Sequence, residues 1–314
     1  MVNRRHIRVK VMQSIYAMHQ NGSDDLEKEE KFLFYSIDSI QDLYLTMLSS
    51  LIEICKKETI FLHKSSQKHL ATAQERKPNE KFIKNSIFQI LTENNSLRIA
   101  LENRKINNWV LNDDYILLLL NDIKQSKLYD KYMSNAINTF EEDKEFIVDL
   151  FMDVIVPNEK LYEYLEDNKL TWIDDIPLVN THIIKQLKAI KPIEEGNFRV
   201  PKLFKDNEDR DFVKDLFRKT ILNEKELAKE YDDKTPNWDS DRIAEIDTII
   251  LKMAICEFLK FPSIPVKVTL NEYLEVAKEY STPKSSIFIN GILDNLVKEL
   301  LTSNRIVKVG RGLI

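Results

Sequence analysis

Apolar positions recur at intervals of three and four along almost the whole chain, which predicts helices rather than strands. Residues 4–20 open the series: Asn3 is placed to cap them, and Ile7, Val11, Ser14/Ile15 and Met18 form one stripe. NGSDD, 21–25, ends that helix. Residues 26–62 carry Ile37, Ile40, Tyr44, Met47/Leu48, Leu51 and Ile54/Cys55 at helical spacing, one long helix or two in line. The polar stretch 64–80, with Pro78, reads as a loop or weak helix. Further helices are predicted at about 81–102, 113–139, 142–156 and 176–190. Residues 190–204 hold two prolines and a glycine and read as a connector.

The pattern sharpens in the last hundred residues. Residues 208–231 and 241–260 read as helices, the second apolar nearly all round (Ile246, Ile249, Ile250, Leu251, Met253, Ala254, Ile255, Phe258, Leu259) and therefore central. Phe261-Pro262 stops it. Thr269 and Glu272 have capping-box spacing, with Val268 and Tyr273 as the staple, for a helix running to about Tyr280. Thr282 caps the next helix and Pro283 takes its first position. Asn290-Gly291 could mark a hairpin, but the flanking period, Phe288, Ile292, Asn295/Leu296 and Leu300, is helical. A glycine there costs about 1 kcal/mol against alanine, and close approach of a neighbouring helix is the expected compensation.

Residues 142–184 and 208–250 align without gaps at an offset of 66, with 13 of 43 positions identical. The matches include Phe146/Phe212, DLF at 149–151 and 215–217, Leu161/Leu227, Trp172/Trp238 and Asp175/Asp241, which points to partial duplication.

Composition adds charge asymmetry. The 314 residues carry a net charge of −5, yet Arg4, Arg5, Arg8 and Lys10 precede any acid, the first being Asp24. The segment 302–314 adds Arg305, Lys308 and Arg311. Both ends are basic around an acidic body, so a local anion site is favoured over a general coat of nucleic acid. Cations in a first helical turn oppose the macrodipole, and a phosphate backbone would supply the missing countercharge. Arginine adds bidentate contacts and stacking on bases, and Tyr16, three turns along, could stack a base or pack. Lys10 points about 160° from Arg8 around an ideal helix, which sets it apart from the cluster.

Catalytic patterns are absent. No glycine-rich phosphate loop, nucleophile elbow or H-E-x-x-H can be built, and without C-x-x-C a zinc site is not expected. His63 and His69 read as a surface pair, and Cys55 and Cys256 as reduced packing residues. The longest aliphatic run, 116–120, is far short of a membrane span, and no leader segment is visible. A cytoplasmic binding protein with no cofactor and no metal is the expectation.

The stretch 242–297, with ID..IL..AI.E, IPVKV..NE, E.AK and F.NG.LD, resembles the NusB family of bacterial transcription antitermination factors. NRRHIRVKVMQSIY resembles the family's arginine-rich first helix, and RDFVKDLFRKTI, 210–221, its third. The resemblance covers about 1–20 and 208–301. It implies an all-α protein, two packed helical subdomains, with a large helical insertion after helix 1. Residues 1–20 are then the first core helix, 21–205 the insertion with its partial duplicate 142–184, 206–301 the remainder of the core, and 302–314 a basic tail. It further implies binding of boxA-like RNA together with a NusE-type small-subunit ribosomal protein, within an RNA polymerase antitermination complex on ribosomal RNA operons. On that resemblance Arg4, Arg5, Arg8 and Tyr16 match RNA-contacting positions. Lys284, Ser285 and Ser286 match the start of the last helix, expected near RNA and so near the arginines in space. Asp247 matches a carboxylate on the partner-binding face.

The chain departs from the pattern at His6, where arginine is common, and at Ile7, where a small residue is usual. The duplicate 142–184 lacks the NE…AK…NG half and is not expected to bind RNA as the core does. Two other readings differ in class. An RNA cytosine methyltransferase with such a domain would need a glycine-rich cofactor domain after it, which is missing from this sequence. A protein-interaction module that has lost RNA binding would use the insertion as its partner surface.

Overall fold

The computed structural model describes residues 1–192, 198–232 and 244–313. It is all-α: sixteen α-helices and no strand lie among the described residues. None of these helices is long and apolar enough to cross a membrane. The chain divides into two compact units, Met1–Ile37 with Leu203–Ile314, and Asp38–Lys202.

The first unit holds α1 (Arg4–Gln20), the opening turns of α2 (Leu26–Ser66), α12 (Asn207–Leu222), α13 (Glu224–Asp232), α14 (Glu245–Lys260), α15 (Val266–Tyr280) and α16 (Pro283–Thr302). Helix α14 touches α1, α12, α13, α15 and α16. Its residues Ile249 to Leu251 and Met253 to Phe258 are all buried, as a helix apolar nearly all round requires. The expected start of this helix at 241–243 lies outside the described residues, as do Trp238 and Asp241 of the repeat. The opening turns of α2 belong here, because Leu33 is buried, Arg218 pairs with Glu30 and Arg210 lies over the Phe34 ring.

The second unit holds the rest of α2, then α3 (Ala73–Arg76), α4 (Ser86–Glu93), α5 (Asn95–Asn103), α6 (Asn108–Leu111), α7 (Asp113–Gln125), α8 (Lys127–Ser134), α9 (Phe140–Leu150), α10 (Glu159–Asn168) and α11 (Ile176–Ala189). Two stretches read as single helices are pairs. Asn94 caps α5 by accepting from the Leu97 N–H at 2.8 Å, and Ser126 caps α8 by accepting from Tyr129 N–H at 3.1 Å. Such side chains offer the backbone a local alternative to continuing the helix. Likewise 208–231 divides at Asn223. Phe82, Phe88, Phe146 and Tyr132 form the aromatic centre, Tyr132 stacked on Phe146 at 3.9 Å. Trp172 is buried and donates to the Ser39 carbonyl at 2.9 Å.

The repeat has matching local structure. In the first unit α12 packs on α1 and α14, and in the second α9 packs on α4 and α11. Asp209 of α12 accepts from Arg4 in the first turn of α1, a helix capped by Asn3. The equivalent Asp143 of α9 accepts from the Ser86 N–H in the first turn of α4, a helix capped by Asn85.

Two local expectations are corrected. Helix α15 begins at Val266, after Pro265, so Thr269 and Glu272 are inside it and form no capping box. The Thr269 hydroxyl instead donates to Glu257 at 2.7 Å, and Glu272 receives Arg5. Gly291 lies within α16, but a Cβ there would meet nothing within 4 Å, so no neighbouring helix approaches it. Thr282 does cap α16, accepting from the Ser285 N–H at 3.1 Å, with Pro283 in its first turn. With open space around it and helical backbone, Gly291→Ala is expected to stabilise the protein by about 0.5–1 kcal/mol in urea unfolding; a destabilised variant would refute this.

Candidate functional site

Helix α1 starts at a cap: the Asn3 side chain accepts from the His6 N–H at 3.0 Å. Its first two turns carry Arg4, Arg5 and Arg8, and each meets a carboxylate distant in sequence. Arg4 Nε donates to Asp209 at 3.1 Å and its other end lies 3.7 Å from Glu208. Arg5 makes a two-pronged contact with Glu272, both bonds 3.0 Å. Arg8 makes another with Glu257, at 2.9 and 2.7 Å. The countercharge that the first twenty-three residues lack is therefore supplied by α12, α14 and α15.

The three pairs differ in solvent access, and that decides what each can do. The Arg4 and Arg5 side chains are 37% and 42% exposed, whereas Arg8 is 2% and Glu257 0% exposed. Glu257 has further donors: Thr269 at 2.7 Å and the Tyr273 hydroxyl at 3.2 Å. The Arg8 guanidinium lies over Phe212 at 5.3 Å and Tyr273 at 5.6 Å. Burial opposes the Arg8 charge, but Glu257 outweighs it and raises the guanidinium pKa. Tyr273, fully enclosed, has its phenol pushed far up by burial and by Glu257, so it stays a neutral donor. Arg8 was expected to touch a ligand; its place under the surface makes it the fastener of α1.

Arg4, Arg5, His6 and Arg8 line a cleft of about 840 Å³, completed by Ser263, Ile264, Pro265, Val268, Glu272 and Glu279 among others. His6 Nδ1 lies 2.8 Å from Asn3 Oδ1. Burial lowers the His6 pKa, helped by Arg5 and Lys10, so the ring is neutral at pH 7. Lys10 is 4% exposed and takes no part in the cleft.

The remaining predicted residues lie at the other end of the unit. Helix α14 runs against α1 and α15: near its end Glu257 meets Arg8 and Thr269, and near its start Glu245 meets His19 while Asp247 accepts from Ser281 at 2.5 Å. From Glu272, Arg5's partner, to Ser281 is about 13 Å of helix at 1.5 Å per residue. Lys284, exposed, and Ser285 and Ser286 in the first turn of α16 thus stand at the Tyr16 end of α1, not beside the arginines as expected. Tyr16 is 37% exposed. Asp247, expected on a partner-facing surface, is 3% exposed, and its carboxylate is spent on Ser281, where the chain turns from α15 into α16.

Among the described residues no group of three or more His, Cys, Asp or Glu is arranged to hold a metal ion. Sequence reasoning missed Glu257, Glu272 and Asp209. For Glu257 a signal existed: it is the one acid in the interior of AICEFLKF, where a lone charge needs a partner. Removing it should strand the buried Arg8 charge. Glu257→Ala is expected to cost about 3–5 kcal/mol in urea unfolding, and Arg8→Met with Glu257→Leu to restore most of it; a single variant within about 1 kcal/mol of wild type would refute the role.

His19 offers a pH test of the other end. It bridges Glu224 at 3.2 Å and Glu245 at 3.1 Å, and the Glu224 hydrogen bond is the main cause of its raised pKa. A raised folded-state value means stability that is full below the ordinary value of 6.5 and lost as pH rises through the folded value. Glu224, held to about 2 chiefly by His19, acts in the opposite window and loses its contribution only in strong acid. The melting-temperature gap between wild type and His19→Gln should therefore be widest near about pH 5 and close toward about pH 9.

Comparison with known proteins covers the same helices. The NusB family model matches residues 182–298, which takes in α12 to α15 and most of α16 and reaches back into α11. Similar proteins include the transcription antitermination protein NusB of Salinibacter ruber, 44% identical over 116 residues, covering 37% of this chain and 72% of that protein. That of Chloroherpeton thalassium is 38% identical over 105 residues, 33% of this chain and 50% of the relative. That of Clostridium kluyveri is 36% identical over 125 residues, 37% of this chain and 80% of the relative. No solved structure matches the chain. On the extent and identity of these matches, the chain belongs to the NusB family.

Proposed function

We propose that this protein is an RNA-binding transcription antitermination factor. It binds boxA-like RNA together with a NusE-type small-subunit ribosomal protein and acts with the RNA polymerase antitermination complex in ribosomal RNA transcription. The similarity to proteins named for antitermination supports the general role. The observation that carries the RNA reading is the cleft at the start of α1, where Arg4 and Arg5 are partly exposed and share one wall.

Their carboxylate partners do not preclude it. The Arg4–Glu208 pair is exposed, and exposed pairs contribute about 0–1 kcal/mol. A phosphate can therefore replace Glu208 on the solvent side of Arg4, while Asp209, which is buried, keeps its own bond to Arg4. On Arg5, 42% exposed, it can compete with Glu272. Arg8 contributes indirectly, by holding α1 in place through Glu257. Lys284, Ser285, Ser286 and Tyr16 are assigned to the far end of the same RNA path. At the start of α16, the exposed Lys284 suits a phosphate. Asp247 enters through Ser281, by fixing the α15–α16 turn, so its part in partner binding is indirect.

The test is a salt titration of binding to a single-stranded boxA RNA oligonucleotide in the presence of the ribosomal protein. Log K should fall by about 0.7 per phosphate contact for each decade of salt. The Arg4→Gln, Arg5→Gln double variant should bind more weakly and lose about 1.4 of that slope. Wild-type affinity and slope in the double variant would overturn the assignment of the cleft.

A further inference from the structure

The basic segment after α16 folds back onto the end of α14. Arg305 makes a two-pronged contact with Glu230, at 2.8 and 2.7 Å. Ile306 is buried. Lys308 Nζ donates to the carbonyls of Phe261 at 2.9 Å and Glu257 at 3.3 Å, placing its charge at the C-terminal end of α14. Burial lowers the Lys308 pKa, so the ammonium is held there against a desolvation cost. The Val309 N–H then donates to the Pro262 carbonyl at 3.0 Å. Gly310, at φ +55°, turns the chain. Gly312 comes so close that a Cβ would stand 2.0 Å from the Pro262 oxygen.

These contacts converge on Phe261 and Pro262, where α14 gives way to the turn before α15. The Pro262 carbonyl and the Ser263 nitrogen belong to one planar peptide unit. One edge of that unit faces the tail. The residues that follow it, Ser263, Ile264 and Pro265, line the cleft that Arg4 and Arg5 also line. A shift of the tail therefore moves the cleft wall.

We propose that the docked tail is a positioning element of the RNA cleft, with Gly312 and Lys308 as the residues that set the place of the Ser263–Pro265 wall. This rests on the RNA reading above. Gly312 allows a sharp test, because even the smallest side chain would displace the contact. In Gly312→Ala the Ile264 amide, which donates to the Phe261 carbonyl at 3.2 Å, should exchange its hydrogen faster in the free protein. Affinity for the boxA oligonucleotide should fall roughly three- to tenfold, with the salt slope unchanged because no phosphate contact is lost. Lys308→Met should move both readouts the same way. Leu313→Ala, at a position 73% exposed, should move neither. Wild-type RNA affinity in Gly312→Ala and Lys308→Met overturns the proposal, whatever the exchange rates. Absence of RNA binding by the wild-type protein overturns the RNA reading itself and this inference with it.

Discussion

A guanidinium buried to 2% exposure must find a carboxylate, and Arg8 finds Glu257 in the last turn of the central helix. An unpaired charge in that place would cost several kcal/mol, so α1 has one longitudinal position on α14. Glu257 also takes the Thr269 and Tyr273 hydroxyls, so α15 is registered by the same carboxylate. One buried pair thus fixes three helices, two of which the chain separates by more than two hundred residues. It also fixes the direction in which the rest of the first turn looks. With Arg8 beneath the surface, Arg4 and Arg5 stand at the rim of the cleft.

Within two helical turns, three arginines therefore grade from fastener to contact. The physical distinction is solvent screening. A desolvated pair is costly to break from one side, whereas a pair at the rim is close to neutral and exchanges partners readily. Each of the three arginines has a carboxylate nearby in the free protein, which lets an acidic chain carry a basic edge without opposing its own helix dipole unaided.

The two units share one local arrangement and differ in its charge. Asp143 and Asp209, 66 residues apart, each hold the first turn of an asparagine-capped helix. The turn held by Asp209 carries arginines and the one held by Asp143 begins with Ser86 and Ile87. The packing logic is shared, and the cationic chemistry is not.

The sequence by itself determined the helical class, the central place of α14, the cap of α1 at Asn3 and that of α16 at Thr282, because spacing and capping are local and survive without knowledge of the partners. It also determined that the cation cluster needed countercharge. It was misleading where a polar side chain had a distant use: Thr269 and Glu272 have the spacing of a capping box, but their oxygens serve Glu257 and Arg5. Only the tertiary structure decided that Arg8 and Asp247 face inward, that the start of α16 lies apart from Arg5's partner Glu272, and that the tail reaches the turn at Pro262. Each of these depends on which helices lie side by side. That is settled by burying apolar stripes and pairing buried charges across the whole chain, and no window of neighbouring residues contains the answer.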